Sequence, residues 1–517
     1  MFGIKAKNKQ KAIEKKVGEL NNKYKDVKLV HSLEKNIATI QELFADVDTL
    51  RIRWVQNTHN KALRYCLVFS DGVVDTALIN ENLIRPLMNS ASTDQSLGLL
   101  DMLEKQVVQI NEAEKTGDIQ DIIKAITYGD TALFAEGCNQ AIIFNTKGYL
   151  TRATAEPDNE KILSGPREGF TESIMSNISF VRRRIRSNEL KMKFLSLGRR
   201  TQTSICVCYM DSIVNTSLLN EVFRRLGTID IDGVLDNNYI TELIRDQKFS
   251  LFRSTGYTER PDVVVGKLLE GRIAIFLDGT PVVLTVPYLF IENFQSSEDY
   301  YLSFYYTSFS RMLRMLGFFL TIAVPGLYIA IVAFHHEMLP TALLINVAAE
   351  RTSVPLPAAV EAFVMLIVFD ILRETGIRMP SNVGQALSIV GALVIGQAAV
   401  EAKLVAAPMI IVVATTGITN LLVPKLNAPI IYIRLFILLV SSIFGLYGFV
   451  ISLSCVLINL FNLTSFGIPQ ITLTGNLKFQ GIKDLAIRAP WWDMLLRPKQ
   501  FAVDRPRMAK KDGNGNA

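Results

Sequence analysis

The stretch Met315-Leu-Gly-Phe-Phe-Leu-Thr-Ile-Ala-Val-Pro-Gly-Leu-Tyr-Ile-Ala-Ile-Val-Ala-Phe334 decides the fold. It carries no charge, and a helix of about 20 apolar residues can cross a hydrocarbon core because it satisfies its own backbone hydrogen bonds. Arg311 and Arg314 stand just before it, and His335-His336-Glu337 follow. Basic residues before a span and none directly after it fit a cytoplasmic entry point. Apolar runs dominate from Met312 to Phe461, whereas the chain up to about residue 310 carries frequent charges. The mean hydropathy of +0.25 over 517 residues therefore averages a water-soluble head and a membrane-embedded region.

Further along, Pro340 to Ala349 ends in Glu350-Arg351 and is too short to cross, so it reads as re-entrant or interfacial. Leu356 to Leu372 crosses back and meets Arg373 and Arg378. Val383 to Val405 is rich in small residues, Pro408 to Val423 is borderline in length, and Leu435 to Phe461 is a long final span. The tail holds Lys478, Lys483, Arg488, Arg497, Lys499 and a basic cluster from Arg505 to Lys511, which argues for a cytoplasmic C-terminus. Met1 to Lys28 is lysine-rich and lacks the apolar core of a signal peptide. It reads as a solvated, partly disordered arm or as a contact for anionic headgroups, with the head in the cytoplasm. Both ends inside require an even number of crossings, and four full spans with one or two partial segments fit best.

The head contains a repeat. Gly129-Asp-Thr-Ala-Leu-Phe-Ala-Glu-Gly137 and Gly271-Arg-Ile-Ala-Ile-Phe-Leu-Asp-Gly279 share Gly, Ala, Phe, an acid and a second Gly at identical offsets. Each precedes another apolar run, and acid-Gly between two such runs signals a hairpin. Helical patterns, Leu99 to Ile126 and Asn237 to Phe249, come before each hairpin. The expectation is an α+β head of two related α/β lobes followed by an all-α transmembrane domain. The divisions are an arm at 1–34, lobes at 35–155 and 165–300, helices at 312–461 and a basic tail at 462–517.

Catalysis finds no footing in these residues. Cys66, Cys138, Cys206, Cys208 and Cys455 form no framework, and no CxxC pair or His companion marks a metal or redox centre. Cys206 and Cys208 would face the same side of a strand. The net charge of +6 comes with no aromatic-studded basic patch, so no nucleic-acid partner, cofactor or metal is expected. Arg182, Arg183, Arg184 and Arg186 point around a helix and read as a basic belt, solvated or salt-bridged between subunits.

Ionisable residues inside a bilayer are costly and face a bundle interior or water. Glu350, Arg351, Glu361, Asp370 and Glu401 are the candidates, with Glu350-Arg351 at an interface and Asp370 paired to Arg373 three residues on. From Gly384 to Val405, Gly384, Ala392, Gly396 and Ala399 permit close helix packing. Leu393, Gln397, Val400 and Leu404 form one stripe, which Glu401 borders. Two readings stay open. The face lines an ion path, with Leu393 as a dewetting constriction and Glu401 attracting cations, or it belongs to a tightly packed inner helix.

Several motifs resemble the A subunits of spore germinant receptors, the GerA family. They are Asp71-Gly-Val-Val-Asp-Thr-Ala-Leu-Ile-Asn80, Gly271 to Pro281, Phe294-Gln-Ser-Ser-Glu-Asp-Tyr-Tyr301, Leu339-Pro-Thr-Ala-Leu343 and Gly396-Gln-Ala-Ala-Val-Glu-Ala402. The resemblance runs from about residue 65 to Pro469. It implies a protein of the spore inner membrane that works with a transporter-like B subunit, which binds the nutrient, and a lipoprotein C subunit. It also implies a ring, a pentamer, whose helices form a nutrient-gated pore for monovalent cations, with Leu393, Gln397, Val400 and Glu401 lining it. A non-conducting scaffold that relays the signal, or a related channel component associated with dipicolinate transport, is the alternative.

Overall fold

A computed structural model describes residues 27–90, 99–110, 112–148, 156–157, 160–379, 391, 394–471, 484, 487–494, 496–497, 501–503 and 507. The chain divides into two compact units. One comprises Met1–Asp246, Ser254–Tyr288 and Pro490–Ala517, and the other Gln247–Arg253 with Leu289–Ala489.

The first lobe of the head runs α1 (Leu33–Leu43), β1 (Leu50–Gln56), β2 (Arg64–Ser70), β3 (Ala113–Thr116), α2 (Ile119–Tyr128), β4 (Thr131–Ala135) and β5 (Ala141–Phe144). The sheet order is β1-β2-β4-β5-β3, and every pairing is antiparallel. Alternation along β2 sends Cys66 and Val68 to one face, against Leu33, Ile37, Ile122 and Ile126 of α1 and α2. Tyr65 and Leu67 go to the other, against Ile79, Leu83 and Leu103. Asp118 caps α2 by accepting from the Gln120 amide (2.8 Å), and Gly129 closes it at φ +99°. The expected helix from Leu99 to Ile126 is instead broken. Its apolar periodicity spans a short helical segment, then β3, then α2, because Gly117-Asp118 restarts the chain with its own cap.

The second lobe repeats the plan. It runs α3 (Ile174–Arg184), β6 (Leu190–Leu197), β7 (Thr203–Met210), α4 (Thr216–Gly227), α5 (Asn237–Ile244), β8 (Gly256–Thr258), α6 (Pro261–Leu269), β9 (Ile273–Leu277) and β10 (Val283–Val286). Its order, β6-β7-β9-β10-β8, matches the first sheet position by position. The repeated hairpins β4–β5 and β9–β10 thus occupy equivalent places, with Gly137 (φ +82°) and Gly279 (φ +87°) in the turns. A second echo went unread in the sequence. Asp71-Gly-Val-Val-Asp75 follows β2 and Asp211-Ser-Ile-Val-Asn215 follows β7, and Asp75 and Asn215 each cap the next helix. The helix expected to reach Phe249 ends at Ile244.

The lobes join through backbone. Val47 bridges Met192, and Asp48 and Met192 exchange amide-to-carbonyl bonds of 3.0 and 3.1 Å with Met192 and Asp46. The arginine run is not a solvated belt. Arg182 is fully buried and donates to the carbonyls of Ser187 and Leu190, and burial pushes its guanidinium down to about 10. Arg183 and Arg184 clamp Glu168, and Arg186 lies 3.5 Å over the Tyr128 ring of the other lobe. Cys206 and Cys208 share a buried face with sulfurs 3.7 Å apart, and burial pushes the Cys66 thiol up to about 12.

The second unit is helical: α7 (Phe304–Phe334), α8 (Thr341–Thr352), α9 (Ala358–Arg378), a helical stretch at 394–401, α10 (Ala407–Asn420) and α11 (Asn427–Phe461). Helix α7 and the segment Pro424–Phe461 are long and apolar enough to cross a membrane. The expected single final span is a correction. A straight 35-residue α11 would measure about 52 Å against a core of about 30 Å. The chain breaks at Gly445, whose φ of +60° and ψ of −138° suit glycine alone. It doubles back there, because a Cβ on Gly448 would collide with the Val440 carbonyl and Val456 and Leu460 return to the cluster of Ile430 and Ile433.

Candidate functional site

Among the described residues of the helical unit, buried charge gathers in three places. The first lies at the start of α7. The motif from Phe294 to Tyr301 leaves one 3-10 turn (Phe290–Phe294) and forms a second (Ser297–Tyr300), before which the Ser296 amide donates to the Asp299 carboxylate (3.2 Å). Asp299 is buried and accepts from Arg311 Nε (2.7 Å) and Arg314 Nη1 (3.0 Å). Arg311 Nη1 donates to Asp484 Oδ1 (2.8 Å), and the Tyr300 hydroxyl donates to Asp484 Oδ2 (2.7 Å). Two arginines and two aspartates thus bind the motif, the root of α7 and the post-helical chain together. Arg488 donates to the Leu302 carbonyl (2.7 Å), and burial, then the neighbouring Arg311, lowers its guanidinium. In the sequence the motif stands out only by its resemblance to the family, because its partner Asp484 lies 185 positions from Asp299 and no local spacing signals it.

The second constellation lies between α9 and α11. Arg434 is wholly buried and donates to Asp370 Oδ2 (2.6 Å), while Arg373 Nη2 stands 3.7 Å from Asp370 Oδ1. The local Asp370–Arg373 pair is therefore the longer arm of a triad whose short arm ties two helices. Arg434 was missed because it stands immediately before the apolar run from Leu435 and reads as a flank. The low dielectric makes this pairing consequential, since a buried charge without its partner costs several kcal/mol. Gly417 matters as well. Added there, a Cβ would lie 2.5 Å from the Phe369 ring, so α9 and α10 approach at a glycine outside the expected small-residue helix.

Glu361 forms the third. It is buried in the first turn of α9, and its Oε2 accepts from the Ala406 amide (3.2 Å), the N-cap of α10. A carboxylate at a helix N-terminus meets both free amides and the positive end of the dipole. Glu350 is exposed on α8 and Arg351 is half-buried.

Of the expected path-lining and packing residues, Gly384, Ala392 and Leu393 lie outside the described residues. Gln397 and Glu401 sit one turn apart on an exposed face, and Gln397 Nε2 donates to Glu401 Oε1 (2.8 Å). Val400 is half-buried, and Ala399 packs on the cluster of Val405, Met409 and Val413. A Cβ at Gly396 would reach Ile410 at an ordinary 3.9 Å, so that glycine is not sterically required. Lys403, at φ +55°, ends the helix, and Leu404 is exposed. The polar pair thus faces outward while the small residues border α10.

The profile of the Bacillus/Clostridium GerA spore germination protein family matches residues 38–500. Spore germination protein KA of Bacillus subtilis is 40% identical over 94% of this chain and 90% of its own. Spore germination protein B1 of the same organism is 34% identical, with 90% and 96% covered. The crystal structure of the N-terminal domain of the A subunit of the Bacillus megaterium spore germinant receptor GerK3 is 31% identical. It covers 51% of this chain and 98% of that one, at a TM-score of 0.42.

Proposed function

The chain belongs to the GerA spore germination protein family, and from that premise we propose that it is the A subunit of a nutrient germinant receptor and the conducting part of it. The observation that carries this reading is the outward Gln397–Glu401 pair, whose two side chains bond only to each other among the described residues. A carboxylate turned toward hydrocarbon is costly, so such a face is stable where it meets water. Several copies arranged with these faces inward, as a pentameric ring, enclose that water. Each copy then contributes an amide and a carboxylate to a cation path, and Leu393, four positions before Gln397 in the sequence, supplies its apolar constriction. The expected setting is the spore inner membrane with both chain ends on the cytoplasmic side. A transporter-like B subunit binds the nutrient, and a lipoprotein C subunit completes the receptor.

In this scheme the Asp299–Arg311–Asp484 collar fixes the root of α7, so that displacement there is delivered to the helices rather than absorbed in a loose joint. Vesicles loaded with potassium test conduction. Leu393→Ala should leak potassium without nutrient, and adding Glu401→Gln should cut that leak severalfold by removing the ring of charge. If Leu393→Ala vesicles hold potassium as tightly as vesicles without protein, the chain does not conduct and a relaying scaffold takes its place.

A further inference from the structure

The segment Gln247-Lys-Phe-Ser-Leu-Phe-Arg253 belongs to the helical unit although the chain on either side of it builds the head. It is pinned at both ends. Gln247 Nε2 donates to the carbonyl of Asn462, the C-cap of α11 (3.0 Å), and Gln470 Nε2 donates to the Arg253 carbonyl (3.0 Å). Phe252 turns inward and meets Phe290 edge-on at 5.6 Å, and Phe290 meets Phe318 of α7 at 5.9 Å. The same cluster holds Val423 and Leu426, where α10 turns into α11, and Leu460 and Leu463, where α11 ends. The loop therefore sits at the layer where the apolar helices begin and end, just past Arg311 and Arg314 on α7.

From this fixed base Phe249 projects at 98% exposure, with Leu251 about half exposed and Lys248 and Arg253 on the surface. Leaving a phenylalanine in water rather than in an apolar medium forgoes the hydrophobic gain of burying its ring. Aromatic and basic residues together at the end of a membrane helix are the composition of the headgroup layer, where rings enter the acyl boundary and cations meet phosphate. We propose that residues 247–253 form an interfacial lipid anchor. Phe249 and Leu251 enter the boundary of the acyl chains, and Lys248 lies against the phosphate oxygens. The inference rests on α7 and α11 being membrane spans, as does the proposed function.

Tryptophan at Phe249, in the full-length protein reconstituted in phosphatidylcholine–phosphatidylglycerol vesicles, tests it. The added emission of Phe249→Trp over wild type is measured with lipids brominated near the headgroup or near the chain end. Leu439→Trp, on an exposed position midway along the first limb of α11, serves as the depth control. The expected result is quenching of Phe249→Trp about twofold stronger with shallow than with deep bromines, and the reverse order for Leu439→Trp. If Leu439→Trp is quenched and Phe249→Trp by neither lipid, the ring is covered by protein or water and the anchor is refuted while the spans stand. If neither tryptophan is quenched, the membrane reading fails and the anchor with it.

Discussion

Inside the helical unit, Asp370 reaches Arg434 and Glu361 reaches the N-cap of α10, so these acids are answered by other helices of the same chain. On the 394–401 helix, Gln397 and Glu401 answer only each other among the described residues, one turn apart on an open face. The contrast separates two uses of polarity in an apolar setting. Inward charges complete the fold of one copy, and their removal should register as lost stability. The outward pair adds little to that fold, and its removal should register as altered permeation.

Arg434→Met is the harshest test of the inward half. It strands Asp370 with only the 3.7 Å contact to Arg373, and should cost about 3–5 kcal/mol, seen as a collapse of folded protein after detergent extraction. Asp370→Leu in the same chain should restore part of it, because the stranded carboxylate is gone. A single variant that extracts and melts like wild type would show that the pair does not hold α9 to α11. Gly445→Ala comes next, at about 1–3 kcal/mol, since an added Cβ would lie 2.8 Å from Phe334 Cβ at a φ that side chains avoid. Thermal unfolding of the reconstituted protein reads this loss, and an unchanged midpoint would mean that α11 does not need the reversal.

The head supplies a milder comparison, an ion pair in contact with water. Although burial alone would raise it, Arg183 and Arg184 hold the Glu168 carboxyl below its ordinary value of 4.5. A depressed folded value gives stability that is present above the unfolded value and lost as pH falls through the folded one. Below about pH 4.5 wild type should therefore lose under about 1 kcal/mol that Glu168→Gln lacks at every pH, and parallel acid-denaturation curves would contradict the clamp. Smallest in stability is Glu401→Gln. It should shift unfolding by less than about 0.5 kcal/mol, and a loss as large as that of Arg434→Met would place Glu401 among the structural charges instead.

Legibility in the sequence followed the range of the interactions. The Gly-to-Gly repeat announced two like lobes because a hairpin is local, and its acid-Gly turn leaves a mark within nine residues. The caps at Asp118, Asp75 and Asn215 were equally local but escaped notice, which is why β3 disappeared into an expected helix. Composition marked the apolar helices but did not find the reversal at Gly445, since a hydropathy run has no direction. Asp299 with Asp484, and Asp370 with Arg434, are partners across long stretches of chain, so nothing in their spacing joins them. Gln397 and Glu401 were legible together because four residues make one helical turn.

The proposed cation path requires that the face carrying Gln397 border water although its neighbours border lipid. Cysteine placed at Gln397 and, separately, at Ile411, an exposed apolar position on α10, measures this directly. Both are reacted in vesicles with a small charged thiol reagent while potassium flux is followed, against wild type with its native exposed Cys455 as background. Gln397→Cys should react at least about tenfold faster than Ile411→Cys, and its modification should change the flux. Equal, slow reaction at both positions, with flux unaltered, would contradict it.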